Sequence, residues 1–152
     1  MEINSALFAA SGLGRLRRMN LFAYGSLILP EVWESVAGRM HPSETGSIRG
    51  FVRRTVRDAT YPGILETGNG GDTVSGVIYR DVDAASVEAL DAFESDFYRR
   101  QALDARTRAE SIVRCEAYVV PAEHAHLVSD TPWDLDTFAR DHLAAFLGRN
   151  FS

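Results

Sequence analysis

Two stretches of the chain carry the groups that could do chemistry. The first, residues 20–27, reads Asn-Leu-Phe-Ala-Tyr-Gly-Ser-Leu, an apolar run that stops at Gly25 and Ser26. The run predicts a short buried strand over 21–23, and Pro30 marks a place where a helix can begin. A strand that hands over to a helix in this way leaves backbone N–H groups without partners, and such groups can hold an anion or a carbonyl oxygen. Taken alone, the stretch is better explained as a tight turn after a core strand.

The second stretch ends a predicted helix with a carboxylate. Asp83 is a predicted N-cap, and apolar residues follow it with helical spacing over 84–94. Leu90 and Phe93 are expected to face the core, which puts Glu94 at the edge of the buried face. Desolvation and the negative end of the helix dipole would both raise the pKa of Glu94 toward the value that a general base needs. From spacing alone, an ordinary surface glutamate remains the alternative.

The elements between these stretches are predicted from periodicity and turn residues. A helix begins near Pro30 and ends at Gly38. Residues 45–56 read as one strand with a possible bulge at Gly50. The turn at 68–72 is expected to join two strands, over 61–65 and 74–79, into a hairpin.

The second half of the chain is also predicted to contain both strands and helices. Strands are predicted over 98–108 and 112–120, paired across the turn between them. Thr131 to Asp134 read as a capping box, and the helix that follows is expected to end at Gly148. The whole order predicts an α+β fold built on a mixed, largely antiparallel sheet.

Composition limits the classes of protein to consider. The 152 residues predict a single domain over 19–152, with residues 1–18 as a loose N-terminal extension. The net charge of −5 has no basic block, which argues against a nucleic-acid partner. A local group of four arginines alternates with apolar residues and is interpreted as the solvent face of a strand: Arg49, Arg53, Arg54 and Arg57.

The single cysteine bears on the compartment. Cys115 lies in a predicted strand, where a buried structural thiol is expected, and no internal disulfide is possible. A reducing, cytoplasmic setting is therefore expected. No apolar run is long enough to span a membrane, and a monomer is the default expectation.

The two stretches together resemble a known family. Tyr24-Gly-Ser-Leu27, followed by Phe-Glu-x-x-x-Tyr-x-Arg over 93–100, is similar to the γ-glutamylcyclotransferase-like family, which includes γ-glutamylamine cyclotransferases and plant AIG2-like proteins. Further matches are Tyr61-Pro-Gly, Gly76-Val-Ile-Tyr79 and Leu90-Asp91. The resemblance spans roughly residues 20–120. The glycine that commonly follows the glutamate is Ser95 here, a departure that bears on the geometry of that loop.

The resemblance implies a small mixed β-barrel with helices packed outside. It also implies release of an amine or amino acid from a small γ-glutamyl compound as the glutamyl part closes to 5-oxoproline. Glu94 would be the general acid and base, and the N–H groups of Gly25, Ser26 and Leu27 would hold substrate oxygens. Because the nucleophile belongs to the substrate, no metal and no cofactor is expected.

Several assignments stay open at this point. Tyr24 and Tyr98 could line the pocket, although a core aromatic explains Tyr98 equally well. Arg100 is expected to pair with a nearby acid. A non-catalytic binding module of the same fold and an amide hydrolase are the alternative functions.

Other constellations are weaker. His124 and His126 form a possible metal pair, but no third ligand has sensible spacing. Ser26 lacks the Gly-x-Ser-x-Gly surroundings of a nucleophile elbow, and His142 lies on an apolar stripe, where a core histidine is expected.

Overall fold

The computed structural model describes residues 18–151, and its centre is a closed five-stranded barrel. The barrel order is β1, β5, β2, β6, β7, and all its pairs are antiparallel except the parallel contact of β1 with β7. The predicted α+β fold with a mixed, largely antiparallel barrel and external helices is confirmed. The strands are β1 Arg18–Ala23, β2 Ser43–Arg49, β3 Phe51–Val56, β4 Pro62–Glu66, β5 Thr73–Asp83, β6 Arg99–Thr107, β7 Ile112–Val119 and β8 Val128–Pro132.

Within residues 18–151, four α-helices surround the strands: α1 Pro30–Ala37, α2 Ala84–Glu94, α3 Leu135–Asp141 and α4 Leu143–Phe151. The predicted start of α1 at Pro30 is confirmed, and Gly38 ends it in the left-handed region at φ 88°. Asp83 caps α2 as predicted, because its side chain accepts a hydrogen bond from the Ser86 amide. No helix within residues 18–151 has the length and apolar character needed to cross a membrane.

Residues 45–56 do not form one strand. They divide into β2, which belongs to the barrel, and β3, which belongs to a second sheet of order β4, β3, β8. Gly50 stands between them with φ 86°, a conformation that favours glycine. The predicted bulge is therefore a corner that carries the chain from one sheet to the other.

The predicted hairpin across residues 68–72 is also wrong. The turn exists, and the Asp72 amide donates to the Asn69 carbonyl. However, β4 pairs with β3, whereas β5 pairs with β1 and β2. The turn thus links two sheets, and the real partner of β4 is the strand that precedes it.

The C-terminal helix differs from its prediction at both ends. Thr131 lies in β8, so the helix is capped by Asp134, whose side chain accepts from the Thr137 amide. The predicted single helix is interrupted at His142, and α4 continues through Gly148 to Phe151. Glycine weakens a helix interior but does not end it by itself.

Strand β1 has a buried residue on both of its faces. Leu21 and Ala23 belong to the apolar cluster under α1 and α2, whereas Phe22 and Tyr24 belong to the cluster inside the barrel. Alternate side chains of a strand point to opposite faces. The continuous apolar run therefore follows from burial on both sides, and it fixes the position of the turn that comes next.

The N-terminal extension predicted over residues 1–18 stays a prediction. Arg18, the last residue of that range, is the first residue of β1. The rest of the predicted extension, residues 1–17, lies outside the described residues.

Candidate functional site

The turn after β1 presents backbone amides that have no hydrogen-bond partner in the described part of the chain. Residues 26–28 form a short 3₁₀ turn, in which Ile28 donates to the Gly25 carbonyl and Leu29 donates to the Ser26 carbonyl, each at 3.0 Å. Within residues 18–151, no hydrogen bond uses the N–H groups of Gly25, Ser26 or Leu27. Ser26 and Leu27 are nevertheless buried. Unpaired N–H groups in a buried turn are ready donors for an oxygen of a ligand.

A tyrosine of β5 holds this turn from the side of the core. The Tyr79 hydroxyl donates to the Leu27 carbonyl at 2.8 Å. The Tyr79 ring stacks on Trp33 of α1, with 3.5 Å between centroids. Burial raises the pKa of Tyr79 to about 12, so the hydroxyl stays a donor at neutral pH. The turn is thus tied to both the barrel and α1.

Arg53 also supports the turn, and this corrects its interpretation as a solvent-facing side chain. Its guanidinium donates to the Tyr24 carbonyl at 2.8 Å and to the Ser75 carbonyl at 3.3 Å. The same group lies over the Trp133 ring, 5.3 Å from its centroid. Desolvation lowers the pKa of Arg53. The alternation of arginines with apolar residues predicted a solvent-exposed strand face. Strand β3 belongs instead to the second sheet, and from there Arg53 contacts carbonyl groups next to β1 and in β5 of the barrel.

Glu94 is the last residue of α2, and it lines the same cavity as the turn. The cavity has a volume of about 290 Å³. Within residues 18–151, no ion pair or hydrogen bond engages the Glu94 carboxyl group. Desolvation raises the pKa of Glu94 from its ordinary value of 4.5 to about 8. The group therefore exchanges its proton near neutral pH, as proton transfer in a general acid–base reaction requires.

The backbone just after Glu94 takes an uncommon conformation. Ser95 has φ 65°, in the left-handed region that favours glycine. The departure from the family's glycine at this position therefore leaves a serine in a conformation that glycine adopts more easily. The chain then makes a 3₁₀ turn over Ser95–Phe97 and enters β6.

Tyr24 and Tyr98 both line the cavity. The Tyr24 hydroxyl donates to the Tyr118 carbonyl at 2.6 Å, and the Tyr98 hydroxyl donates to the Pro62 carbonyl at 2.8 Å. Burial raises the pKa of both tyrosines well above their usual value, and the nearby Glu94 carboxylate adds to the shift. Both hydroxyl protons are committed to backbone carbonyls, so the rings act as walls. All six residues predicted for the site from the sequence thus lie around one cavity.

Several lining residues were not anticipated. The cavity wall also includes Leu21, Phe22, Ala23, Tyr61, Pro62, Phe93, Ser95, Phe97, Tyr118, Phe146, Arg149 and Asn150. Three of these come from α4, whose predicted C-terminal end was Gly148. The spacing of Arg149 three residues after Phe146 could have placed both on one helix face, had the helix been extended past the glycine.

The remaining side chains near the site have structural partners. Arg100 pairs with Asp91 and, at 3.0 Å, with Glu116, which confirms its predicted pairing with an acid. The Tyr118 hydroxyl donates to Asp91 at 2.7 Å. Cys115 is buried, as predicted.

The residues of the weaker constellations lie elsewhere. His124 contacts the Phe97 carbonyl through Nδ1 at 2.9 Å and stacks on the Phe97 ring. Over residues 18–151, no group of three His, Cys, Asp or Glu side chains is arranged to hold a metal ion. His142 is half-buried and does not line the cavity that contains Ser26.

Comparison with known proteins gives a consistent result. The family model described as gamma-glutamyl cyclotransferase, AIG2-like, matches residues 21–135. AIG2-like protein C of Arabidopsis thaliana is 31% identical over 101 residues, which cover 66% of this chain and 58% of that relative. The matched stretch is thus less than two thirds of that relative's length.

Two solved structures share the fold. An AIG2-like protein from Mus musculus is 25% identical with a TM-score of 0.61, over 78% of this chain and 89% of that one. A protein described as gamma-glutamyl cyclotransferase is 19% identical with a TM-score of 0.59, over 69% of this chain and 68% of that one. The family model ends at residue 135, so α4 and its cavity residues lie outside the matched region.

Proposed function

The chain belongs to the AIG2-like gamma-glutamyl cyclotransferase family, and on this premise we propose that it is an enzyme that releases an amine or amino acid from a small γ-glutamyl compound and forms 5-oxoproline. One observation carries the proposal: a desolvated Glu94 lines the same cavity as the amides of residues 25–27, and none of these groups has a hydrogen-bond partner among residues 18–151. The first group can move a proton, and the second can hold an oxygen that gains charge.

The proposed reaction uses the substrate's own α-amine as nucleophile. The amine nitrogen attacks the γ-carbonyl carbon, a C–N bond forms in a five-membered ring, and the C–N bond to the leaving amine breaks. The attacking nitrogen loses two protons as it changes from an ammonium to the lactam N–H, and the leaving nitrogen gains two as it changes from an amide N–H to an ammonium, so neither water nor a net proton is consumed. The cavity contributes by holding the chain curled, since proximity of this kind lowers the barrier. The chemistry needs no cofactor and no metal.

On this proposal, Glu94 acts first as the general base and then as the general acid. Its carboxylate takes a proton from the attacking nitrogen, and the resulting carboxylic acid gives a proton to the leaving nitrogen as the C–N bond breaks. Such help contributes roughly 10²- to 10⁴-fold in rate. The pKa of about 8 means that the ionised form grows as pH rises through that value, and kcat/KM should rise with it.

The backbone amides of Gly25, Ser26 and Leu27 bind the α-carboxylate or the developing oxyanion. Tyr24 and Tyr98 shape the walls that curl the substrate. Ser26 has no nucleophilic role in this scheme, because the attacking group is already part of the substrate.

We further propose that the protein works as a cytoplasmic monomer with a small molecule as its only partner. The single, buried Cys115 is compatible with a reducing compartment. The net charge of −5 without a basic block gives no support to nucleic-acid binding.

A panel of γ-glutamyl amines and γ-glutamyl amino acids tests the proposal, with 5-oxoproline and free glutamate quantified by mass spectrometry. We expect 5-oxoproline from at least one member. Free glutamate in its place would identify an amide hydrolase. Saturable binding without any product would identify a non-catalytic binding module.

A further inference from the structure

Arg149 is a basic residue of the cavity wall. Its side chain lines the cavity, and among residues 18–151 it makes no ion pair or hydrogen bond. Other arginines form ion pairs with neighbouring carboxylates, for example Arg80 with Glu44 and Arg114 with Asp104. Among the described lining residues, Arg149 is the only basic side chain and Glu94 the only acidic one.

The aromatic packing of α4 fixes where Arg149 stands relative to Glu94. Phe93, the residue before Glu94, contacts Phe146 edge to face with 6.1 Å between centroids and stacks on Phe151 at 6.3 Å. Helix α4 is therefore docked against the end of α2 that carries Glu94. Arg149 lies between the two phenylalanines of α4 in sequence, so its position is set from both sides.

The cavity wall along α4 runs from the interior to the rim. Phe146 is 6% exposed, whereas Arg149, one turn later, is exposed. Glu94 is half-buried and desolvated, and the amide turn is buried. The reacting end of a bound substrate must therefore lie deep, and the part that reaches Arg149 is the part that leaves.

We propose that Arg149 makes the site selective for substrates whose leaving group carries a carboxylate, that is, γ-glutamyl α-amino acids rather than uncharged γ-glutamyl amines. This inference rests on the proposed cyclotransferase function. A guanidinium offers a planar fork of donors that matches a carboxylate, and it stays charged at all relevant pH values. The walls between Glu94 and the rim are largely aromatic. Arg149 is therefore the charged partner available to the carboxylate of the leaving group.

The test uses two substrates that differ only in the carboxylate: γ-glutamyl-alanine and γ-glutamyl-ethylamine. In the wild-type protein we expect kcat/KM to be about tenfold higher for γ-glutamyl-alanine, the size of one charge-assisted contact at a partly exposed site. In Arg149→Gln we expect kcat/KM for γ-glutamyl-alanine to fall about tenfold and kcat/KM for γ-glutamyl-ethylamine to stay the same. Arg149→Lys should retain part of the preference.

The matched control is Arg140→Gln, which removes the same charge from α3 at a position outside the cavity. It should behave like the wild-type protein with both substrates. An equal fall for both substrates in Arg149→Gln would overturn the proposal, because Arg149 would then hold the glutamyl part or support the helix. Unchanged values for both would overturn it as well.

Binding separates this inference from the proposed function. Calorimetry with the Glu94→Gln protein, which we expect to bind substrate without turning it over, measures Kd for each ligand. The measurement is repeated with the double variant that also carries Arg149→Gln. We expect Arg149→Gln to weaken binding of γ-glutamyl-alanine about tenfold and to leave γ-glutamyl-ethylamine unchanged. If the wild-type protein forms no 5-oxoproline, the proposed function fails, and this difference in Kd still decides the role of Arg149. Equal effects on both ligands reject it.

Discussion

At the scale of single residues, the site is built from groups that do not favour the folded state. Glu94 places a carboxyl group at the negative end of α2, where the helix dipole favours a cation, and burial penalises its charge. Ser95 follows with φ 65°. Costs of this kind concentrate at functional sites and are offset by packing elsewhere. The spacing from Leu90 and Phe93 predicted the position of Glu94, whereas Arg149 was missed as a wall residue because the predicted helix ended at Gly148.

The close approach of Gly25 to Pro62 leads to a prediction about the amide turn. A Cβ atom at Gly25 would lie 2.9 Å from Pro62 Cγ and 3.0 Å from Pro62 Cδ. Gly25→Val should therefore push the turn away from β4 and reduce kcat/KM for 5-oxoproline formation by more than about 100-fold, on the order of one lost oxyanion donor.

Ser26→Ala is the control for that substitution. It keeps the backbone amide and removes only the hydroxyl, so we expect activity to fall no more than a few-fold. A folded Ser26→Ala protein without activity would instead point to Ser26 as a nucleophile. Near-normal activity of Gly25→Val would show that the turn does not need to lie against Pro62.

At the scale of elements, the sequence predicted the positions of strands and helices better than it predicted which strands pair with each other. The apolar run of β1, the cap of α2 and the β6–β7 hairpin depend on neighbours in sequence, and each was predicted. The separation of β2 from β3 at Gly50, and the pairing of β4 with β3 rather than with β5, depend on contacts between sheets. Strand pairing is a property of distant segments, so a local pattern cannot specify it.

Tyr79 connects β5 to the amide turn, and its removal should affect both stability and binding. Tyr79→Phe keeps the ring on Trp33 but leaves the buried Leu27 carbonyl without its donor. We expect the free energy of unfolding to fall by about 1–2 kcal/mol. We also expect substrate binding to weaken, because the Leu27 peptide group is held less firmly.

Chemical denaturation and KM measured on the same preparation check this prediction. A loss of stability without a change in KM would mean that Tyr79 supports the core but does not position the turn. Unchanged stability would contradict the importance of the hydrogen bond itself.

At the scale of the whole molecule, the cavity couples function to the pH dependence of stability. Below pH 4.5, Glu94 is protonated in both the folded and the unfolded chain. As pH rises from 4.5 to about 8, the unfolded chain loses the proton while the folded chain keeps it, so stability falls. The slope is about 1.4 kcal/mol per pH unit at most, and the full cost is present above pH 8.

Glu94→Gln should remove this dependence. The free energy of unfolding of Glu94→Gln minus that of the wild-type protein should be larger at pH 8.5 than at pH 5 by about 2–4 kcal/mol. Urea titration at the two pH values measures this difference. The control is Glu88→Gln, on the exposed face of the same helix, which should show no such difference between the two pH values. Parallel stability curves for Glu94→Gln and wild type would contradict the desolvation of Glu94.

The central claim is that Glu94 moves the proton during closure of the γ-glutamyl group. The most direct test is the rate of 5-oxoproline release by the wild-type and Glu94→Gln proteins at saturating substrate, with Kd measured alongside. We expect Glu94→Gln to lower kcat by at least about 100-fold and to leave Kd within a few-fold of the wild-type value. A Glu94→Gln protein that releases 5-oxoproline at the wild-type rate would contradict the claim.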